Sequence, residues 1–439
     1  MKIVYKSVLI AMAPMIALAA SGDLHDILVN RVDEGKKAVS IVVGTINANG
    51  RAVTAYPSTV DGDSVFEIGS ITKVFTSLLL ADMVERGEVK LDDPVAKFLP
   101  ASVKVPSQGP RQITLLDLSM QISGLPRLPS NLKPADPANP YVDYTPQKLY
   151  DFLSGYTLTR DIGSKYEYSN LAVGLLGHAL ALKAGMSYEE LLRKRIFEPL
   201  GMTSTTVTLT PALQKRLAMG HGADLAPVKN WDFDALAGCG AIRSTANDML
   251  EFLAANLDLT DTPLKAAMHR MRSMQKETGV ADLDIAMAWH IWKKYGDTIY
   301  WHNGGTYGYR SFTGFDLAKK TGVVVLCNTF HDIDDIGLHW LEPQFTIAKF
   351  DAPKPALAVD PKILGTYVGE YRLTPTFSIA ITRDENHLYA QATGQPRFEI
   401  FASKPNEFFL KVVDAQITFE EGSLTLHQGG RDQKATKVK

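Results

Sequence analysis

Apolar residues recur at every second position in some stretches and at every third or fourth in others, and these two rhythms lay out the chain. Residues 38–44 (Ala-Val-Ser-Ile-Val-Val-Gly) and 52–56 (Ala-Val-Thr-Ala-Tyr) read as strands joined across Asn47-Ala48-Asn49-Gly50, which predicts an antiparallel hairpin at the start. From Ser70 onward, Ile71, Val74, Phe75, Leu78, Leu79 and Met83 recur at helical spacing until Gly87 supplies a stop. The middle of that helix is apolar enough to be buried. Further helices are predicted from Ile113 to Leu118, from Leu171 to Ala184 ahead of Gly185, after the cap Ser187-Tyr188-Glu189-Glu190 up to Pro199, and from Ser244-Thr245-Ala246-Asn247-Asp248 onward. Residues 299–305, 309–315 and 322–328 return to strand character. Strands at both ends with helices between them predict an α+β fold: a central antiparallel sheet flanked by helices, with a separate helical cluster.

Two proline-rich stretches interrupt this pattern. Residues 126–140 contain five prolines and read as an irregular loop, either a wall of a site or a plain surface excursion. Residues 351–361 read as a connector, after which short strands alternate with turns to the end of the chain (367–373, 377–382, 387–391, 397–401, 407–412, 416–420, 423–427). That spacing predicts a small antiparallel barrel or sandwich, either a docking or gating module or a part that stabilises the rest or mediates self-association.

A chain of 439 residues is long for a single core and fits two domains. Its 45% hydrophobic and 21% charged residues are ordinary for a globular protein, and a formal net charge of −2 argues against nucleic acid or an anionic membrane surface as a partner. Lys2 and Lys6, an apolar run from Val8 to Ile16 and Ala17-Leu18-Ala19 read as an export signal over residues 1–19, which places the protein in the periplasm or outside the cell. No other stretch is long and apolar enough for a membrane anchor. Cys239 and Cys327, the two cysteines, can pair or remain buried thiols; neither has metal-ligand spacing, so no metal and no cofactor is expected.

The candidate chemistry begins at Ser70-Ile71-Thr72-Lys73. On a helix, Lys73 lies one turn from Ser70 on the same face, so an amine can accept the serine proton by local geometry alone. The tetrapeptide by itself is equally a helix cap with a solvated lysine. Tyr168-Ser169-Asn170, just ahead of a helix, offers a phenol for proton relay and an amide able to hold Lys73 and a substrate amide. A lysine ammonium nearby makes the Tyr168 proton easier to lose. His302-Asn303-Gly304-Gly305 sits on a strand whose glycines admit a substrate backbone; the Gly305 N–H can complete an oxyanion hole with that of Ser70, and His302 offers a polar or cationic group. His178, inside an apolar helix, reads as a packing residue.

Taken in order, Ser-x-x-Lys, Tyr-x-Asn and a basic-x-Gly triplet resemble the three motifs of the serine β-lactamase and penicillin-binding-protein superfamily. Phe66-Glu67-Ile68-Gly69-Ser70, Ser123-Gly124-Leu125-Pro126 and Arg243-Ser244-Thr245-Ala246-Asn247-Asp248-Met249 are similar to its class C β-lactamase and D,D-peptidase/esterase branch, over roughly residues 25 to 345. The resemblance implies a hydrolase domain over 22–350, a linker at 351–361 and a lipocalin-like barrel over 362–439. It further implies an acyl-enzyme at Ser70, with Lys73 and Tyr168 handling protons and Asn170, His302, Asn303, Gly304 and Gly305 binding a small substrate: a β-lactam, a D-peptide or an ester. His302 stands where class C β-lactamases usually have lysine, and Thr72 also departs from their pattern, so a peptidase, an esterase or a non-catalytic penicillin-binding protein stays open, as does the oligomeric state.

Overall fold

Ile41-Val42-Val43 places apolar side chains on both faces of a strand, and both faces are covered. Ile41 and Val43 enter one hydrophobic cluster, Val42 and Ile46 the other. The computed structural model describes residues 23–350, 356–374, 377–393, 397–410, 415–428 and 431–438. The expected export signal and residues 351–355 of the connector lie outside them. The chain divides into two compact units, one through Phe350 and one from Asp351.

In the first unit, β1 (Ile41–Asn47) turns through Ala48-Asn49 into β2 (Gly50–Tyr56), with Asn47 opposite Gly50. The chain comes back to this sheet as β3 (Gln275–Val280), β4 (Leu283–Ala286), β5 (Trp289–Lys294), β6 (Asp297–Gly305), β7 (Arg310–Asp316) and β8 (Thr321–Cys327). The order is β2-β1-β8-β7-β6-β5-β4-β3, antiparallel throughout. One face of the sheet packs on the helices α1 (Thr72–Glu85), α2 (Asn170–Ala184) and α3 (Ala246–Asn256) and their neighbours. The other is covered by Leu24 and Leu28 and by α4 (Asp334–Leu341). This is the α+β arrangement expected, with three more strands, β3 to β5, than the apolar pattern announced. The outermost, β3, is exposed at nearly every position and so carries no alternation to read.

Local departures have local causes. Pro199 does not stop its helix: it lies in the first turn of a short segment, Glu198–Leu200, where its missing N–H costs nothing, and Gly201 at φ +70° ends the run. Cys239 and Cys327 are both buried free thiols.

The second unit begins with α5 (Pro361–Tyr367), capped by Asp360, and continues as β9 (Gly369–Thr374), β10 (Phe377–Asp384), β11 (His387–Ala392), β12 (Arg397–Lys404), β13 (Glu407–Leu410), β14 (Ala415–Glu420), β15 (Ser423–Gln428) and β16 (Arg431–Lys437). Each strand pairs with the next, and β16 pairs back to β9 to close a barrel. Closure of the ring leaves no strand of the barrel, among the described residues, with only one neighbour. Tyr367 belongs to α5 and not to the first strand.

Candidate active site

A two-residue bridge between Phe66-Glu67 and Arg243-Ser244 leads the chain into a tight turn, Gly69–Ile71, from which α1 starts. No side chain caps that turn, so Ser70 is not spent as a helix cap. Gly69 is there for conformation and space. Its φ is +49°, and a Cβ on it would meet the backbone nitrogen of Gly305 at 2.6 Å. Gly304 has the same constraint against the carbonyl oxygen of Ile68, which also accepts the Ser311 hydroxyl at 2.8 Å. The two glycines let β6 lie directly on the Ser70 turn. We expect Gly69→Ala to destabilise the protein by about 1–3 kcal/mol in urea titration.

One turn along, the Lys73 amine lies 2.8 Å from Ser70 Oγ and donates to the Cys239 carbonyl at 2.7 Å. Lys73 is fully buried. Burial, reinforced by the Arg127 charge and opposed by the field at Cys239, lowers its pKa to about 8. Two more α1 residues grip the same segment: Thr76 donates to the Gly238 carbonyl at 2.7 Å and the Thr72 hydroxyl accepts the Ile242 N–H at 3.1 Å. A carbonyl takes only the amine's N–H, so a neutral Lys73 keeps its lone pair for the Ser70 proton.

Ser169 is the N-cap of α2, accepting the Ala172 N–H and donating to the Pro126 carbonyl at 2.6 Å. Gln121 accepts the Ser169 N–H at 2.8 Å. This clamp fixes the residues on either side. Tyr168 packs beside the Ser70–Lys73 pair, with Lys73 Nζ 4.7 Å from its ring centroid. Burial outweighs the lowering influence of Ser70 and holds the phenol well above its ordinary pKa, so Tyr168 is a neutral O–H group and not the easily ionised one its lysine neighbour suggested. Asn170 donates to Tyr141 at 3.1 Å, while its Oδ1 is buried with no partner. It does not hold Lys73; the Cys239 carbonyl does.

The strand motif divides. Gly305 lines the cleft with Ser70 and Asn170. His302 is 1% exposed beneath Tyr168, ring centroids 6.2 Å apart, and stacks on His290 at 4.9 Å. Its Nδ1 donates to the Asn303 carbonyl at 2.6 Å. Burial, His290 and Lys73 together drive its pKa well below the ordinary value, so of the polar or cationic group expected it is the polar, neutral one. Asn303 points to the opposite face of the sheet, as strand alternation requires, and donates to Asp334 at the start of α4. The substrate contact expected of its side chain is therefore absent from this arrangement.

The cleft is narrow and is walled by Tyr141, Trp231 and Phe233. Tyr141 and Phe233 stack at 4.7 Å, and Tyr141 and Trp231 lie 5.4 Å apart. Glu67 anchors this wall: it accepts from Asn230 Nδ2 and the Trp231 N–H, both at 2.9 Å, while Arg243 donates to the Trp231 carbonyl at 2.7 Å. Sequence reasoning missed the three rings and the Cys239 carbonyl. The rings sit in loops with no periodicity, and a backbone carbonyl has no residue signature.

A mixed sheet-and-helix unit with a serine and a buried lysine hydrogen-bonded one turn apart defines the class of the serine β-lactamases and penicillin-binding proteins. The chain belongs to the Beta-lactamase family, whose model matches residues 28–342. A model described as a domain of unknown function, DUF3471, matches residues 353–430. The D-alanyl-D-alanine-carboxypeptidase/endopeptidase AmpH of Escherichia coli is 34% identical over 241 residues, 53% of this chain; the chain spans 61% of that relative's length. Penicillin-binding protein 4* of Bacillus subtilis is 26% identical over 408 residues, covering 86% of this chain and 88% of its own length. The crystal structure of a β-lactamase/D-alanine carboxypeptidase from Yersinia pestis superposes with a TM-score of 0.61 at 29% identity, over 71% of this chain and 93% of that one.

Proposed function

We propose that the protein is an exported serine hydrolase that opens β-lactam or related amide bonds, D-alanyl-D-alanine included, through an acyl-enzyme at Ser70. The observation that carries this reading is Lys73, fully buried, 2.8 Å from Ser70 Oγ, with its pKa lowered to about 8. In acylation, Ser70 Oγ attacks the carbonyl carbon and its proton passes to Lys73. The carbonyl oxygen becomes an oxyanion between the N–H groups of Ser70 and Gly305, which the close approach of Gly69 to Gly305 favours. The Tyr168 O–H donates a proton to the departing nitrogen and recovers one from Lys73. Asn170 Oδ1, buried and unpartnered, accepts an N–H of the substrate. Water then attacks the ester carbonyl and releases Ser70.

The names of AmpH and of the Yersinia pestis enzyme support a D-alanine carboxypeptidase reading beside the β-lactamase one. A neutral His302 in the strand motif favours the peptidase over a fast β-lactamase. Incubation with benzylpenicillin, followed by intact mass and by substrate loss, separates them. We expect a covalent adduct of the penicillin's mass that persists over minutes. Rapid turnover without accumulation moves the assignment to β-lactamase, and no adduct together with no D-alanine release removes the amide-bond reading and leaves an esterase.

A further inference from the structure

Gly305 ends β6, and Arg310, directly opposite it in the ladder, begins β7. The Thr306 N–H donates to the Tyr309 carbonyl at 3.1 Å, and hydrogen bonding alternates along an antiparallel ladder, so the N–H and carbonyl of Gly305 turn away from β7. They turn toward Ser70: a Cβ on Gly69 would meet the Gly305 nitrogen at 2.6 Å. Gly305 and Thr306 both line the cleft. Where the Gly305 N–H points therefore depends on how firmly the short link over residues 306–309 holds the end of β6.

Arg310 braces that link from behind. Its guanidinium carbon would lie 3.0 Å from a Cβ on Gly305, so the side chain fills the space that any residue but glycine would need there. Nη1 donates to the Thr306 and Tyr309 carbonyls, both at 3.1 Å, and so ties the two ends of the link together. The guanidinium rests on the Phe330 ring, 4.2 Å from its centroid, in the field of Asp332 and Asp334. Asp334 also accepts from Asn303, two residues before Gly305, so the end of β6 is held from behind at two points. The other cations near the site have different tasks. Lys73 and Arg127 lie 4.7 and 5.1 Å from the Tyr168 ring centroid, and Arg243 anchors the Trp231 wall. A partly buried guanidinium whose donors go to main-chain carbonyls fixes backbone geometry.

We infer that Arg310 is a positioning residue for acylation, acting through Gly305 by holding that residue's N–H where the oxyanion forms. The inference rests on the Ser70 reading and adds to it the side chain that keeps one oxyanion donor in place. A slightly displaced donor still admits substrate but stabilises the transition state less, so the loss falls on the acylation step and not on binding. The test follows benzylpenicillin acylation of the full-length protein by intact mass over a range of penicillin concentrations, which separates the limiting rate from the concentration at half-saturation. We expect Arg310→Met to lower the limiting rate roughly tenfold or more and to leave half-saturation within about threefold of the parent. Arg310→Lys, which keeps the charge and a donor but not the plane that rests on Phe330, should fall between the two. The rise of rate through about pH 8 should persist in both variants, because neither change touches the bond between Lys73 and Ser70, whereas a general loosening of the site would move it. Urea unfolding checks that each variant is folded. An unchanged limiting rate in Arg310→Met, or in Arg310→Lys where the methionine variant does not fold, overturns the inference, as does half-saturation that weakens as much as the rate falls. Failure of the acyl-enzyme reading looks different: no penicillin adduct forms on the unaltered protein.

Discussion

Lys73→Met is expected to slow acylation by roughly 10²–10⁴-fold and to abolish the rise of kcat/KM with pH. Both effects follow from one cause. The amine accepts the Ser70 proton only when uncharged, and burial has brought its pKa down to about 8 from an ordinary 10.5. In the unaltered protein the active form accumulates as pH rises, so kcat/KM should climb through about pH 8 and then level off. His302 and His290 do not generate this limb, because both are neutral well below it. Methionine fills nearly the same volume without a proton to exchange, so initial rates from pH 6 to 10 should show a low, flat profile. A limb that persists near pH 8 in Lys73→Met would assign the base to another group.

The same shift has a consequence for stability, of opposite sign to the kinetic cost. Below pH 8 the folded protein must keep a charged amine buried or give up its proton, whereas the unfolded chain holds that proton up to about 10.5. The unfolded state thus binds more protons between these values, and stability contributed by this site rises with pH across the window. Lysine at position 73 costs on the order of 3 kcal/mol near neutrality on this account. Lys73→Met should therefore unfold at a higher urea concentration than the parent at pH 7, with the gap narrowing toward pH 10. Activity and stability moving in opposite directions is the expected signature of a group buried for chemistry.

What the sequence alone could convey about this site depended on how local each contact is. Ser70 and Lys73 are three residues apart, and helical geometry alone brings them together, so their pairing was readable from spacing. Tyr168 and Gly305 reach Ser70 only through the tertiary fold and became legible through motif order. His302 and Asn303 read as site residues because the motif is linear, but a strand sends successive side chains to opposite faces, and burial decides charge. The Cys239 carbonyl that orients Lys73 carries no side-chain signal at all. Glu67 was visible only as part of a resemblance, since its task, fixing Trp231 across 164 residues of chain, is a property of the fold. In the outline, β1 is legible as a continuous apolar run ahead of a turn, and most barrel strands carry clear periodicity. The polar edge strand β3 does not, and neither does β16, where Ala435 is a lone buried apolar position.

Ser70→Ala is expected to eliminate the covalent adduct with benzylpenicillin and to lower hydrolysis of any substrate by roughly 10⁴-fold or more, the largest effect of a single change in this protein. On the proposed route the hydroxyl oxygen is the atom that forms the new bond. Lys73 keeps its bond to the Cys239 carbonyl, Tyr168 keeps both cations against its ring, and Ser169 still caps α2. The site thus loses its nucleophile while its walls stay in place, and unfolding should shift by no more than about 1 kcal/mol, one hydrogen bond's worth. Intact mass after incubation with penicillin gives the first readout and D-alanine release from a D-alanyl-D-alanine peptide the second. Hydrolysis that continues at the parental rate in Ser70→Ala would place the chemistry at a different residue. Loss of the adduct with native-like unfolding would tie it to the hydroxyl that Lys73 faces at 2.8 Å.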